Sequence, residues 1–249
     1  MGAFFVPVLL FFASPLQASE NCRSTLKREK VSVGYVYDGD TLKLSDRRRV
    51  RLAGLNTPEL KEGPAWSRSV AQDAKSKLQQ WLSLQQHVYL QVERDPRDDY
   101  GRVLGYIDNA KGEDPAVALL EKGLAYAVVV APNTQKQRCY FAAEKTARLA
   151  GVGVWAHAPV VLAKDFRKEQ TGFALVRGRV TRQFHFKTSE AIVLDDNLVV
   201  ILRGVSRLPS LSGKEVRIRG WVQDRVFTRN AFSARFTVYL NHKANVEVL

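Results

Sequence analysis

The sequence predicts an α+β first half, a five-stranded closed sheet of the OB type with about three helices, and then an all-β second half. Two observations lead there. Short apolar runs joined by hairpin turns precede any helical periodicity, which a doubly wound parallel sheet does not allow. Beyond residue 172 helical spacing stops, and short strand-like runs follow one another to the end.

The elements follow in order. Val31 to Val36 reads as one strand, Asp38-Gly39 as a tight turn, and Thr41 to Leu44 as the return. A second hairpin turns through Asp46-Arg47-Arg48 into Arg49 to Gly54. Trp66, Val70, Ala74, Leu78 and Leu82 recur at helical spacing behind Pro64, a first-turn proline. His87 to Val92 and Val103 to Ile107 alternate as strands. Asp114-Pro115 caps a short helix ending at Gly123, and a last helix over about 135–150 stops at Gly151. Periodicity lapses from Trp155 to Lys168, so the boundary falls near 160. The later strands are Phe173–Arg182, Ala191–Leu194, Leu198–Arg203, Glu215–Val222, Phe232–Leu240 and Asn245–Val248. Their pattern fits a small OB-like barrel, with a β-sandwich as the alternative.

The 249 residues carry a net charge of +13. Residues 160–249 hold 16 Lys and Arg against 8 Asp and Glu, so the excess is greatest in the second half. A polyanionic partner, nucleic acid or an anionic membrane surface, is expected. The apolar run Ala3 to Phe12, followed by small residues to Ala18, is too short to span a membrane and reads as a signal peptide over 1–19. Three segments are therefore expected: the signal, a first domain over 20–159, and a basic β domain over 165–249. The mature chain is expected to be exported, periplasmic or secreted, without a membrane span, and monomeric. Cys22 and Cys139 are the only cysteines and are expected to pair in an oxidising compartment. No Cys/His cluster has zinc spacing.

Polar constellations lie in the first half: Asp38-Gly39-Asp40-Thr41, Arg51, Asn56-Thr57-Pro58-Glu59, and Asp98-Asp99-Tyr100-Gly101-Arg102. Each alone is ordinary turn or surface chemistry. Together they supply oxygen ligands for a hard cation, a carboxylate to activate water, and two guanidiniums for a phosphate.

In this order the motifs resemble the thermonuclease (staphylococcal nuclease) family over about residues 31–156. The likeness continues through Ala118-Leu119-Leu120-Glu121-Lys122-Gly123 to Gly153-Val154-Trp155. The resemblance implies catalytic roles for Arg51, Glu59 and Arg102, and calcium ligation by Asp40, the Asn56 side chain and the Thr57 carbonyl. It implies substrate contacts at Asp98 and Tyr100, and hydrolysis of DNA or RNA with little sequence specificity to leave 3′-phosphates. Two departures stand out. Asn56 replaces the family's aspartate, which should weaken calcium binding or admit another divalent ion. The family's base-stacking tyrosines are absent from Tyr126-Ala127-Val128-Val129-Val130-Ala131-Pro132. The rival expectation is a catalytically silent nucleic-acid-binding module of the cell envelope.

Overall fold

The computed structural model describes residues 22–205, 208–229 and 232–249. The expected signal peptide lies outside them.

The first half is built on β1 (Arg28–Val31), β2 (Val33–Val36), β3 (Thr41–Leu44), β4 (Arg49–Leu52), β5 (Leu55–Asn56), β6 (Val88–Arg97), β7 (Val103–Asn109) and β8 (Tyr126–Ala127). Its helices are α1 (Ala65–Ser83), α2 (Pro115–Glu121) and α3 (Gln137–Ala150). The main sheet runs β1-β6-β7-β4-β3-β2. Only Ser32 separates β1 from β2, so one bent strand pairs with β6 at one end and β3 at the other. The sheet thereby closes on itself as a five-stranded barrel, with the parallel pair β4–β7. The single strand expected over Val31 to Val36 is thus a broken one beginning at Arg28. The strand changes partner at Ser32, and periodicity does not register a change of partner.

Leu42, Val50, Leu78, Leu90 and Leu119 are fully buried in this barrel's core. At the start of α2 the Asp114 side chain accepts the Ala116 amide, as the Asp-Pro signal predicts. Pro64 sits at the N-cap of α1 rather than inside its first turn. Gly151 ends α3 in the left-handed conformation. The Cys22–Cys139 disulfide ties the start of the described chain to α3.

The second half comprises β9 (Val160–Leu162), β10 (Gly172–His185), β11 (Ser189–Leu194), β12 (Leu198–Arg203), β13 (Glu215–Gln223), β14 (Phe227–Arg229), β15 (Phe232–Ala234), β16 (Phe236–Leu240) and β17 (Val246–Val248). Strand β10 pairs with β11 through its C-terminal end and with β13 through its N-terminal end, across a bulge near Thr181. The ring β10-β11-β12-β16-β13 therefore closes. Its parallel pair is β12–β16. This is a second five-stranded barrel with the strand order of the first. The alternative of a β-sandwich falls, because one long bulged strand belongs to both edges. Two details differ from the sequence reading. Val160–Leu162, in the stretch without periodicity, pairs in parallel with β10. The run Phe232–Leu240 breaks at Arg235, with β15 turning to form a hairpin with β14.

The two barrels meet along residues 127–131. Arg219 donates to the Ala127 carbonyl, while Asn245 and Asn241 each exchange two hydrogen bonds with the backbone of Val129 and Ala131. Backbone groups left without sheet partners in this segment are thus satisfied by side chains of the second barrel.

Candidate active site

The site gathers at one end of the first barrel, where β3, β4 and the 98–102 turn come together. Thr41 lies opposite Arg51 in the β3–β4 ladder, and Arg51 lies beside Leu104 in the β4–β7 ladder. Arg51 is therefore fixed between the Asp40 turn and the strand that leaves the Arg102 turn. Gly39 allows the turn to pack: a Cβ there would come within 2.6 Å of the Ala74 Cβ and 2.7 Å of the Thr57 Cγ2. Gly101 has φ of 72°, which the reversal between Tyr100 and Arg102 requires.

Asp40 is buried and is the hub. Its Oδ2 accepts the Thr57 amide at 2.8 Å and the Thr57 hydroxyl at 2.9 Å. Its Oδ1 accepts the Thr41 hydroxyl at 3.0 Å. Arg51 Nη1 lies 2.6 Å from Asp40 Oδ2 without the alignment of a hydrogen bond. Arg51 Nη2 donates to Asn56 Oδ1 at 2.9 Å. Arg102 reaches the same cluster from the other side, with Nη1 3.4 Å from the Thr41 hydroxyl. Its Nε is held by Asp98 Oδ2 at 2.7 Å, while Asp98 Oδ1 accepts the Tyr100 and Arg102 amides.

The electrostatics follow from this crowding. Burial, then the charge of Asp40, pushes the Asp38 carboxyl up to about 6. Burial and Asp40 also hold Glu59 above its ordinary value, with Arg51 and Arg102 opposing. Glu59 is thus within electrostatic reach of both arginines. Burial pushes Asp98 up, but the Arg102 hydrogen bonds and charge outweigh it and leave the carboxyl below its usual range.

Arg51, Arg102 and Asp98 line a cavity of about 200 Å³ whose other walls include Leu104, Val128, Val130 and Trp221. An anion entering it meets two guanidiniums in a partly apolar setting, where each interaction is stronger than in water.

Residues 49–157 match the sequence model of the staphylococcal nuclease homologues. The chain is 31% identical over 134 residues to the thermonuclease of Staphylococcus intermedius, covering 52% of this chain and 78% of that protein. It is 30% identical over 145 residues to endonuclease YncB of Bacillus subtilis (strain 168), 56% of this chain and 68% of the relative. It is 33% identical over 129 residues to the succinoglycan biosynthesis protein ExoI of Rhizobium meliloti (strain 1021), 50% of this chain and 63% of that one. The chain belongs to the staphylococcal nuclease homologue family.

In this staphylococcal nuclease homologue, Asp40, Arg51, Asn56, Thr57, Asp98 and Arg102 come together, while Glu59 is exposed and feels the charges of Asp40, Arg51 and Arg102. Tyr100 does not join the cavity wall. The residue is 75% exposed, and the Arg102 guanidinium lies over its ring, 5.4 Å from the centroid. Two participants had no role in the sequence reading, although Thr41 stood within the Asp38-Gly39-Asp40-Thr41 motif. Thr41, hydrogen-bonded to both Asp40 and Arg102, was readable as the neighbour of Asp40 in the turn. Trp221 lies in the other barrel and gives no local signal.

Among the described residues no group of three or more His, Cys, Asp and Glu side chains forms a metal cage. A calcium site here would rest on Asp40, the Asn56 amide oxygen and the Thr57 carbonyl. That all-oxygen set fits a hard cation. It is poor in charge, and Arg51 already contacts Asp40 Oδ2 and Asn56 Oδ1. Asp40 Oδ1 accepts the Thr41 hydroxyl and makes none of the Arg51 and Thr57 contacts that crowd Oδ2.

Proposed function

We propose that this chain is an exported, calcium-dependent nuclease that hydrolyses DNA or RNA phosphodiester bonds with little sequence specificity. The observation that supports it best is the convergence of Arg51 and Arg102 on one cavity, with Arg51 against Asp40. Glu59 takes a proton from the attacking water. Arg51 and Arg102 donate to the non-bridging phosphate oxygens, which gain charge as the bond from water to phosphorus forms in line with the bond to the 5′-oxygen. That bond breaks, and the leaving 5′-oxygen takes a proton from solvent. Asp98 holds the Arg102 fork in place, and Thr41 sets its distance from Asp40. Asp40, the Asn56 side chain and the Thr57 carbonyl would hold calcium, which would supply Lewis-acid polarisation of the phosphate. Residues 20–159 carry this chemistry in a monomer, and 165–249 form the basic β domain. The Cys22–Cys139 disulfide and the apolar start of the sequence support export.

Digestion of single-stranded DNA by the full chain with calcium, with chelator, and as Glu59→Gln tests this reading. The expected result is calcium-dependent cleavage that falls by about 10²–10⁴-fold in Glu59→Gln, with binding in chelator retained. A wild type that leaves the strand intact with every divalent ion tried, while still binding it, would make the chain a silent nucleic-acid-binding module instead.

A further inference from the structure

The second barrel places an aromatic ring on the cavity that holds the two arginines. Trp221 on β13 lines it together with Arg51, Arg102, Val128 and Val130, and stays 44% exposed. The remaining wall at Val128 and Val130 is aliphatic and offers no flat face. Trp221, Val128 and Val130 also border a neighbouring cavity of about 280 Å³ that contains Arg203 and Tyr239. There the Arg203 guanidinium lies 4.1 Å from the Tyr239 ring centroid, and Arg225 approaches the same ring at 5.8 Å. The ring thus stands between one cationic cavity and another cationic, aromatic one.

Trp221 is also held in place. Phe173, its partner across the β10–β13 ladder, packs edge-on against it at 5.1 Å. Phe173 rests on Tyr126, and Tyr126 on Trp155, so the ladder of rings roots in the first barrel. Two residues before Trp221, on the same face of β13, Arg219 is paired with Glu144 in the buried interface. A ring fixed in advance loses little freedom when a flat partner lands on it.

We propose that Trp221 is a stacking platform for a nucleobase of the substrate strand, the base next to the phosphate held by Arg51 and Arg102. The second barrel is then part of the substrate site. Charge complementarity selects the occupant: every bordering ionic group except Asp98 is a guanidinium, and alternating cations and aromatic faces suit single-stranded nucleic acid. This rests on the phosphodiester reading above.

The test uses the full chain and a fluorescently labelled thymidine oligonucleotide, with binding measured by anisotropy in chelator at low salt. Trp221→Leu keeps apolar contact with Phe173 but removes the flat ring, and should weaken binding about tenfold. Trp221→Phe should stay within about threefold of wild type. Removing one base in turn along the oligonucleotide should at one position cost wild type about tenfold and Trp221→Leu almost nothing. In cleavage, Trp221→Leu should raise KM with kcat nearly unchanged. The proposal is overturned if Trp221→Leu binds as wild type does, if Leu and Phe lose equally, or if every missing base costs both proteins the same. A chain that cleaves nothing yet shows the base-dependent Trp221 effect would sink the nuclease reading and leave Trp221 as the stacking platform of a strand that is bound but not cut. Glu59-dependent cleavage without any Trp221 effect would do the reverse.

Discussion

Arg219 Nη1 lies 2.7 Å from both carboxylate oxygens of Glu144, and the two side chains are 5% and 2% exposed. The pair joins β13 of the second barrel to α3 of the first, and both partners also bind the Ala127 backbone. Burying two charges costs desolvation that the pair roughly offsets, so its removal as a unit costs chiefly the Ala127 backbone hydrogen bonds that the two side chains make. Removing one partner is different, because Glu144 would remain buried without a cation. Arg219→Met should cost about 3–5 kcal/mol in urea denaturation, and Arg219→Met/Glu144→Leu clearly less. Equal losses for the single and double variants would mean that packing, not the stranded charge, sets the cost.

The disulfide spans a separation of 117 residues, nearly the whole first barrel. In the chain-entropy account, closing so long a loop stabilises the fold by about 4–5 kcal/mol. Cys22→Ser/Cys139→Ser should therefore lower the denaturation midpoint strongly, and reduction of wild type should bring it to the same value. A midpoint insensitive to reductant would show that the helices and barrel hold the N-terminal segment unaided.

Much of the first barrel was legible because its signals are local. Asp114 caps α2, Gly151 ends α3, and the Asp46-Arg47-Arg48 reversal places Arg47 at φ of 76°. What escaped was set by partners distant in sequence. Strand β6 continues to Arg97 through Arg94-Asp95-Pro96, which is no strand pattern, and the Asp95 amide is there fixed by the Asn133 side chain. Val160–Leu162 carries too few residues to show a period and becomes a strand only by lying against β10. At the site, the motifs delivered Asp40, Arg51, Glu59 and Arg102 through resemblance. The Arg51 contact with Asp40 and Asn56 depends on barrel closure, and Trp221 on the docking of a second barrel. No spacing in the sequence encodes either.

Asn56 is where charge is missing from the proposed metal site. Its amide oxygen accepts from Arg51 and contributes no net charge to the set around Asp40. Asn56→Asp adds one negative charge within a few ångströms of the cation, and should tighten calcium binding on the order of tenfold or more. Titration calorimetry of wild type and variant, without substrate, measures this directly. Unchanged affinity would remove Asn56 from the ligand set.

Glu247 makes the interface sensitive to acid. It sits between Arg217, at 2.5 Å, and Arg148, at 3.1 Å, linking β17 to β13 and to α3. Burial pushes its carboxyl up, but hydrogen bonds and charge from both arginines prevail and hold it below the ordinary 4.5. A depressed carboxyl contributes stability that is fully present above 4.5 and lost as pH falls through the lower folded value. The side chain is 40% exposed, so solvent screens the pair and the contribution is about 0.2–1 kcal/mol. Glu247→Gln should accordingly be less stable than wild type at neutral pH by that amount, with the two curves converging below 4.5. High salt should shrink the neutral gap. Thermal unfolding of both proteins across the acid range checks it, and a gap that persists unchanged into acid would assign the loss to shape rather than charge.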